Sequence, residues 1–199
     1  QKDLLNVSTG APTGTRVLQF GEYVTVTNAG VVGECASATG GGCLATAGVA
    51  RFPALADAAA SADKYDAVVF VEGVNDIRAG RVAGSVAFAY RDMVARARDR
   101  KIVIVMTKFE GNGLGIGGLS DGQLKELGDA LWGVTEDTSL NVEIYRQSLF
   151  NFETSGSSPT QSGYDRMSQL IFEKVAREFP LQPCDARNDK PGKGCPRNP

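Results

Sequence analysis

At 199 residues the chain is long enough for one sizeable core and short for two. Its apolar and charged fractions, 42% and 22%, are ordinary for a globular protein and argue against disorder. With a net charge of −2 and no basic block there is no footprint for nucleic acid, and no apolar run reaches the roughly 18 residues needed to span a bilayer.

Residues 1–15 are polar and turn-rich and read as an N-terminal arm. Arg16–Phe20 and Tyr23–Thr27 are β-prone and separated by Gly21-Glu22. A two-residue link beginning with glycine suits a tight antiparallel hairpin and is far too short for a parallel crossover. Asn28-Ala29-Gly30-Val31-Val32-Gly33-Glu34 then forms a glycine-punctuated loop, either a turn needing positive φ or a set of backbone N–H groups aimed at a ligand.

Four cysteines form two local pairs, Cys35 with Cys43 and Cys184 with Cys195. Neither has the spacing of a tetrahedral metal site, and the chain has no histidine to complete one, so no metal or cofactor is expected. Loop-closing disulfides in an oxidising compartment fit better. The chain opens at Gln1 without a charged-then-apolar leader, which reads as a mature secreted protein with its signal peptide removed. Asn6-Val7-Ser8 is a glycosylation sequon.

Residues 48–62 read as an Ala-rich helix with Pro53 in its first turn. Asp66–Val71 is a short β-branched run that predicts a strand buried on both faces. It ends in Gly73-Val74-Asn75-Asp76, where Asn75 stands at the carboxyl end of the strand, the usual place for a site in a parallel sheet. The plainer role of Asn75 and Asp76 is to turn the chain and cap the next helix. Residues 80–99 predict an amphipathic helix with Val82, Val86, Phe88, Tyr90, Met93, Val94 and Ala97 inward. Lys101–Thr107 predicts a second buried strand, and Phe109–Gly118 a Gly-rich loop. Ser120 caps a helix to about Val134, Leu140–Tyr145 is a further strand, Ser155–Gln161 a loop, and Gly163 opens the last helix. The alternation of strands and helices predicts a mostly parallel sheet covered on both faces.

Three segments together resemble the SGNH hydrolases, or GDSL-type esterases. Asn28–Gly33 resembles the block whose glycine, here Gly30, donates a backbone N–H to the oxyanion. Gly73-Val74-Asn75-Asp76 resembles the block whose asparagine, here Asn75, donates a side-chain N–H to it. Ser158-Pro159-Thr160 with Gly163-Tyr164 resembles the last block, which in the family reads Asp-x-x-His-Pro and then Gly-Tyr. The resemblance runs from residue 26 to about 175 and implies a three-layer α/β/α, flavodoxin-like domain over 16–181, with modified N-terminal strands; the Cys184 and Cys195 pair reads as closing a tail over 182–199.

The departures fall on the chemistry. The family's nucleophilic serine corresponds to Tyr23, and its acid and base fall on Ser155 and Ser158. Acyl transfer by serine needs a base within hydrogen-bond reach, and loss of a triad member removes several orders of magnitude in rate. Only Gly30 and Asn75 would remain, as vestigial oxyanion donors. The resemblance therefore implies a catalytically inactive protein; with the secreted reading of the cysteines and a rebuilt N-terminal edge, it is expected to act by binding or by assembly as a homo-oligomer or polymer through N-terminal strand exchange. The alternatives are an active esterase or deacetylase on acyl or acetyl esters with an unrecognised nucleophile, and a carbohydrate-binding module using Tyr23, Phe109 and Trp132. A Ser–Lys dyad of Lys108 with Ser155, Ser157 or Ser158, and paired carboxylates Glu72 and Asp76, are the remaining catalytic candidates.

Overall fold

The computed structural model describes residues 15–18, 24–27, 29, 31, 33–58, 65, 67–71, 73–110, 116–156 and 158–178. Its centre is a parallel sheet in the order β3-β4-β5, made of Ala67–Phe70 (β3), Val103–Phe109 (β4) and Ile144–Leu149 (β5). Val68 pairs with Ile104 and Val105 with Tyr145. The connections are helical, as parallel neighbours require. Val74–Arg78 (α2) and Ala83–Asp99 (α3) lie between β3 and β4, and Asp121–Thr135 (α4) between β4 and β5. Gly48–Ala58 (α1) precedes the sheet and Gln161–Glu178 (α5) follows it.

The expected α/β architecture is present. One core cluster joins Phe52 of α1, Phe70 of β3, Val86, Tyr90 and Met93 of α3, Ile104 and Met106 of β4, and Leu127 and Leu131 of α4. A second joins Leu149 of β5 and Phe152 to Met167 and Leu170 of α5, with Phe109 packed against it. Period-2 alternation along β4 sends Ile104 and Met106 to the first cluster and Phe109 to the second. Phe70 anchors the first cluster by ring contacts at 5.2 Å to Phe52 and 5.3 Å to Tyr90. Among the described residues no helix is long and apolar enough to cross a membrane.

Several expectations need correction. Thr15–Leu18 (β1) and Val24–Thr27 (β2) do form an antiparallel hairpin, so Thr15 belongs to it and not to the arm. A two-residue turn at 21–22 would set Leu18 opposite Thr25, whereas it stands opposite Val24. The register is one residue off that of the tight turn, and residues 19–23 lie outside the described residues. Pro53 lies inside α1, beyond the first turn. β3 is only partly buried before Phe70, because it is the end strand of the described sheet.

In α3 the buried residues are Ala83, Val86, Ala87, Ala89, Tyr90, Met93, Val94 and Ala97, and Val82 and Phe88 are exposed at 66% and 65%. Small alanines hold the inward positions, so side-chain size misleads and the 3.6 period decides. β5 begins at Ile144 because Thr138–Leu140 is a 3₁₀ turn that ends at Asn141 with φ 50°. Its polar second half, Arg146-Gln147-Ser148, hides the strand from an apolar-run search. The 155–161 loop contains a small hairpin, Thr154–Ser155 (β6) with Ser158–Pro159 (β7), and α5 begins at Gln161. Ser120 caps α4 as expected, in a capping box with Gln123. The arm before Thr15, the loop at 111–115 and the 182–199 tail lie outside the described residues.

Candidate functional site

The site is built where β3 stops. The carbonyl of Phe70, in the last ladder pair, accepts the hydroxyl of Thr107 at 2.8 Å. Gly73 then takes φ 107°, a left-handed conformation that L side chains rarely adopt. A Cβ there would stand 3.1 Å from both Leu127 and Val86, closer than ordinary packing allows without a small shift of those side chains. This turn launches α2 and places Asn75 and Asp76 on its first turn.

Neither side chain caps its own helix, contrary to the plainer expectation. Both reach across to the loop after β2. Asn75 Nδ2 donates to the carbonyl of Glu34 at 2.9 Å. The Asp76 carboxylate, fully buried, accepts the N–H of Ala36 at 2.7 Å, the N–H of Ser37 at 2.9 Å and the Ser37 hydroxyl at 2.5 Å. A buried carboxylate is stable only when so surrounded by donors. Its partners are backbone and Ser37, and not Arg78, which lies exposed.

The same loop is held from two further directions. Arg51 of α1 forms a two-point ion pair with the buried Glu34 carboxylate, Nε to Oε1 at 2.8 Å, and donates to the carbonyl of Ala29 at 2.6 Å. Arg81 donates to the carbonyl of Thr39 at 2.9 Å. Cys35 and Cys43 form the expected disulfide. Sequence reasoning missed Glu34, Arg51, Ser37 and Arg81. Their partners lie 17 to 42 residues away, and no local pattern announces such pairs.

Chemically, Asp76 is an acceptor engaged by three donors of the 36–37 segment. Asn75 commits one amide N–H to Glu34, and a carboxamide carries two. Gly30, Tyr23, Ser157 and Glu72 lie outside the described residues, as do Cys184 and Cys195.

Ser155 and Ser158, the positions that the resemblance sets against the family's acid and base, are brought together. Ser155 and Ser158 face each other across the β6–β7 ladder, and both are exposed. Beside them Glu153 accepts the hydroxyl of Ser162 and, at 3.0 Å, that of Thr160. The Ser162 hydrogen bond first, then the Thr160 one, hold its carboxyl below the ordinary glutamate range. Gly163 packs so tightly that a Cβ would fall 2.1 Å from the Glu153 carbonyl oxygen.

Lys108 does not join these serines. It is drawn onto α4, with Nζ 3.7 Å from Asp129 and 5.1 Å from the Trp132 ring centroid. Its stem crosses Gly128, the residue that leaves it room. Trp132 packs on the first core cluster and Phe109 on the second, so the two aromatics do not share a binding face. Among the described residues no group of three His, Cys, Asp or Glu side chains is placed to hold a metal ion.

No protein-family model matches the chain, and no curated protein matches it. Among solved structures it is similar to an acetyl esterase, crystallised as a serine-to-alanine mutant with an acetate ion. That likeness has 18% identity and a TM-score of 0.51, and covers 64% of this chain and 63% of that one. At this identity it supports the α/β fold.

Proposed function

We propose that this is a secreted, catalytically inactive relative of the SGNH hydrolases that works by assembly with copies of itself. The absence of histidine in all 199 residues supports the loss of the family chemistry. The site geometry agrees, since Asn75 and Asp76 are engaged in holding the 34–37 loop. The Cys35–Cys43 disulfide supports an oxidising compartment.

The observation that carries assembly is the edge of the sheet. Among the described residues β3 pairs with β4 alone, and β1–β2 forms a sheet of its own. The two ends of the sheet differ in character. β5 is guarded by the exposed Arg146, paired with Glu136, and by Lys174 over the Tyr145 ring at 5.5 Å. β3 reads Ala-Val-Val-Phe and carries no charge. Charged edges resist pairing and uncharged ones invite it. Light scattering over a concentration series tests the reading. A mass that is a multiple of 21.0 kDa is expected, and a monomer at every concentration would overturn it.

A second reading, an acyl or acetyl esterase, draws on the likeness to the acetyl esterase and on the position of Asn75. It requires a nucleophile and base that the described residues do not bring together.

A further inference from the structure

We infer that the Cys35–Cys43 disulfide is a redox-sensitive latch: a dithiol reductant opens the segment 38–44 and leaves the Asp76 cradle at 34–37 closed. The latch stands whether or not the chain assembles.

The two halves of this loop are held by different means. Residues 34–37 have many anchors besides the disulfide. Asp76 accepts the N–H groups of Ala36 and Ser37, Asn75 donates to the Glu34 carbonyl, and Arg51 pairs with the Glu34 carboxylate. The start of α1 adds two more, Gly48 N–H to the Cys35 carbonyl at 2.8 Å and Val49 N–H to the Ala36 carbonyl at 2.9 Å. Residues 38–44 are held more lightly. Arg81 Nη2 donates to the exposed carbonyls of Thr39 at 2.9 Å and Gly40 at 3.4 Å. Leu44 N–H reaches the Gly33 carbonyl at 3.3 Å, and Cys43 N–H the Gly40 carbonyl at 3.2 Å, within the segment itself. Packing adds little. A Cβ built at Gly40 would meet nothing within 4 Å, and at Gly41 and Gly42 only ordinary contacts at 3.8 Å and 3.9 Å. Three consecutive glycines also regain more backbone freedom on release than other residues would. The disulfide is therefore the dominant restraint on 38–44 and one of several on 34–37.

The two sulfurs differ in access. Cys35 is fully buried, whereas Cys43 is half-buried beside the exposed glycines. Exchange begins with a thiolate attacking one sulfur of the disulfide, and here Cys43 is the one within reach. The reductant's first thiolate bonds to the Cys43 sulfur. The Cys35–Cys43 bond breaks, and its electron pair leaves on Cys35, which takes a proton from water. The reductant's second thiolate then displaces Cys43 from the mixed disulfide, and Cys43 takes a second proton. The protein gains two electrons and two protons, and the dithiol becomes a disulfide. Loss of a link between residues eight apart shifts the opening equilibrium of the loop by about 10–100-fold. Opening also releases Arg81, whose acceptors are the Thr39 and Gly40 carbonyls.

The test treats the full chain with dithiothreitol and no denaturant. Alkylation with iodoacetamide and peptide mapping separate Cys35 and Cys43 from Cys184 and Cys195. Amide hydrogen exchange followed by heteronuclear NMR reads the loop. Cys43 is expected to be alkylated about tenfold or more faster than Cys35. The amides of Cys43 and Leu44 should exchange about 10–100-fold faster than in the oxidised protein, while those of Ala36, Ser37, Gly48 and Val49 stay within about threefold. Untreated Cys43→Ser should show the same exchange pattern, which assigns it to this link and not to Cys184 and Cys195. A link that dithiothreitol cleaves only after unfolding in urea would overturn the redox sensitivity. Exchange raised at Ala36 and Ser37 by the same factor as at Leu44 would overturn the division of the loop. Unchanged exchange at Cys43 and Leu44 would overturn the latch.

Discussion

Replacing Asp76 with asparagine is the sharpest probe of how the site is held. The change is nearly isosteric, so it makes no cavity. Two oxygens that accept three hydrogen bonds become one oxygen and one NH₂ group. Placing the new NH₂ toward Ala36 sets donor against donor at a 2.7 Å contact, and placing it toward Ser37 does the same to an N–H and a hydroxyl. In either orientation at least one buried or part-buried donor loses its acceptor. An unmatched buried donor costs about 1–3 kcal/mol, and the remaining bonds lose their charge assistance. A total of about 2–4 kcal/mol is expected, a large share of the ~5–15 kcal/mol that holds a domain together. Urea unfolding reads it, followed by the fluorescence of the sole tryptophan, Trp132, in the oxidised protein. The midpoint is expected to fall with the slope unchanged. A loss below about 0.5 kcal/mol, within the range of an ordinary surface change, would refute the three-donor arrangement.

Gly73→Ala and Gly163→Ala should each destabilise by about 1–3 kcal/mol in the same assay. The first meets positive φ and two side chains at 3.1 Å, the second a carbonyl oxygen at 2.1 Å. Gly128→Ala should be nearly neutral, because its close neighbour is the flexible Lys108 stem and the helix gains propensity. Reduction of the Cys35–Cys43 link, whose partners are eight residues apart, should lower stability by about 2–3 kcal/mol from loop-closure entropy, read as a lower urea midpoint with reductant. The carboxyls of Asp57, held down by Arg100 and then Arg96, and of Asp137, held down by Ser139 and then Arg91, lie below their ordinary value of 3.8. Depressed carboxylates stabilise the fold above the unfolded pKa, and that contribution disappears as pH falls through the folded one. Stability should therefore be flat through neutral pH and decline below about pH 4, and Asp57→Asn should soften the decline. An acid limb unchanged in Asp57→Asn would contradict this.

Strand–helix alternation was legible because short apolar runs are separated by segments of helical period, some with a start or stop signal of their own. The Ser120–Gln123 capping box is the clearest case. β5 was misplaced because Arg146, Gln147 and Ser148 give an end strand a polar pattern. The hairpin was legible, but its register was not, since Gly21-Glu22 marks a turn without fixing its length. At the site, Asn75 and Asp76 stood out from the strand end and from the family resemblance. What they do was hidden, because Glu34, Ala36 and Ser37 lie about 40 residues away, and hydrogen bonds across that distance leave no period in a sequence. Lys108 looked available beside the serine loop. Only packing reveals that α4 claims it through Asp129 and Trp132.

The claim that the active site is retired is tested most directly by hydrolysis of a short-chain nitrophenyl ester, with the purified chain set against Asn75→Ala and a protein-free blank. All three should share the background rate. Turnover above the blank that falls about 10²–10³-fold in Asn75→Ala would mean that Asn75 stabilises an oxyanion, and would contradict the account.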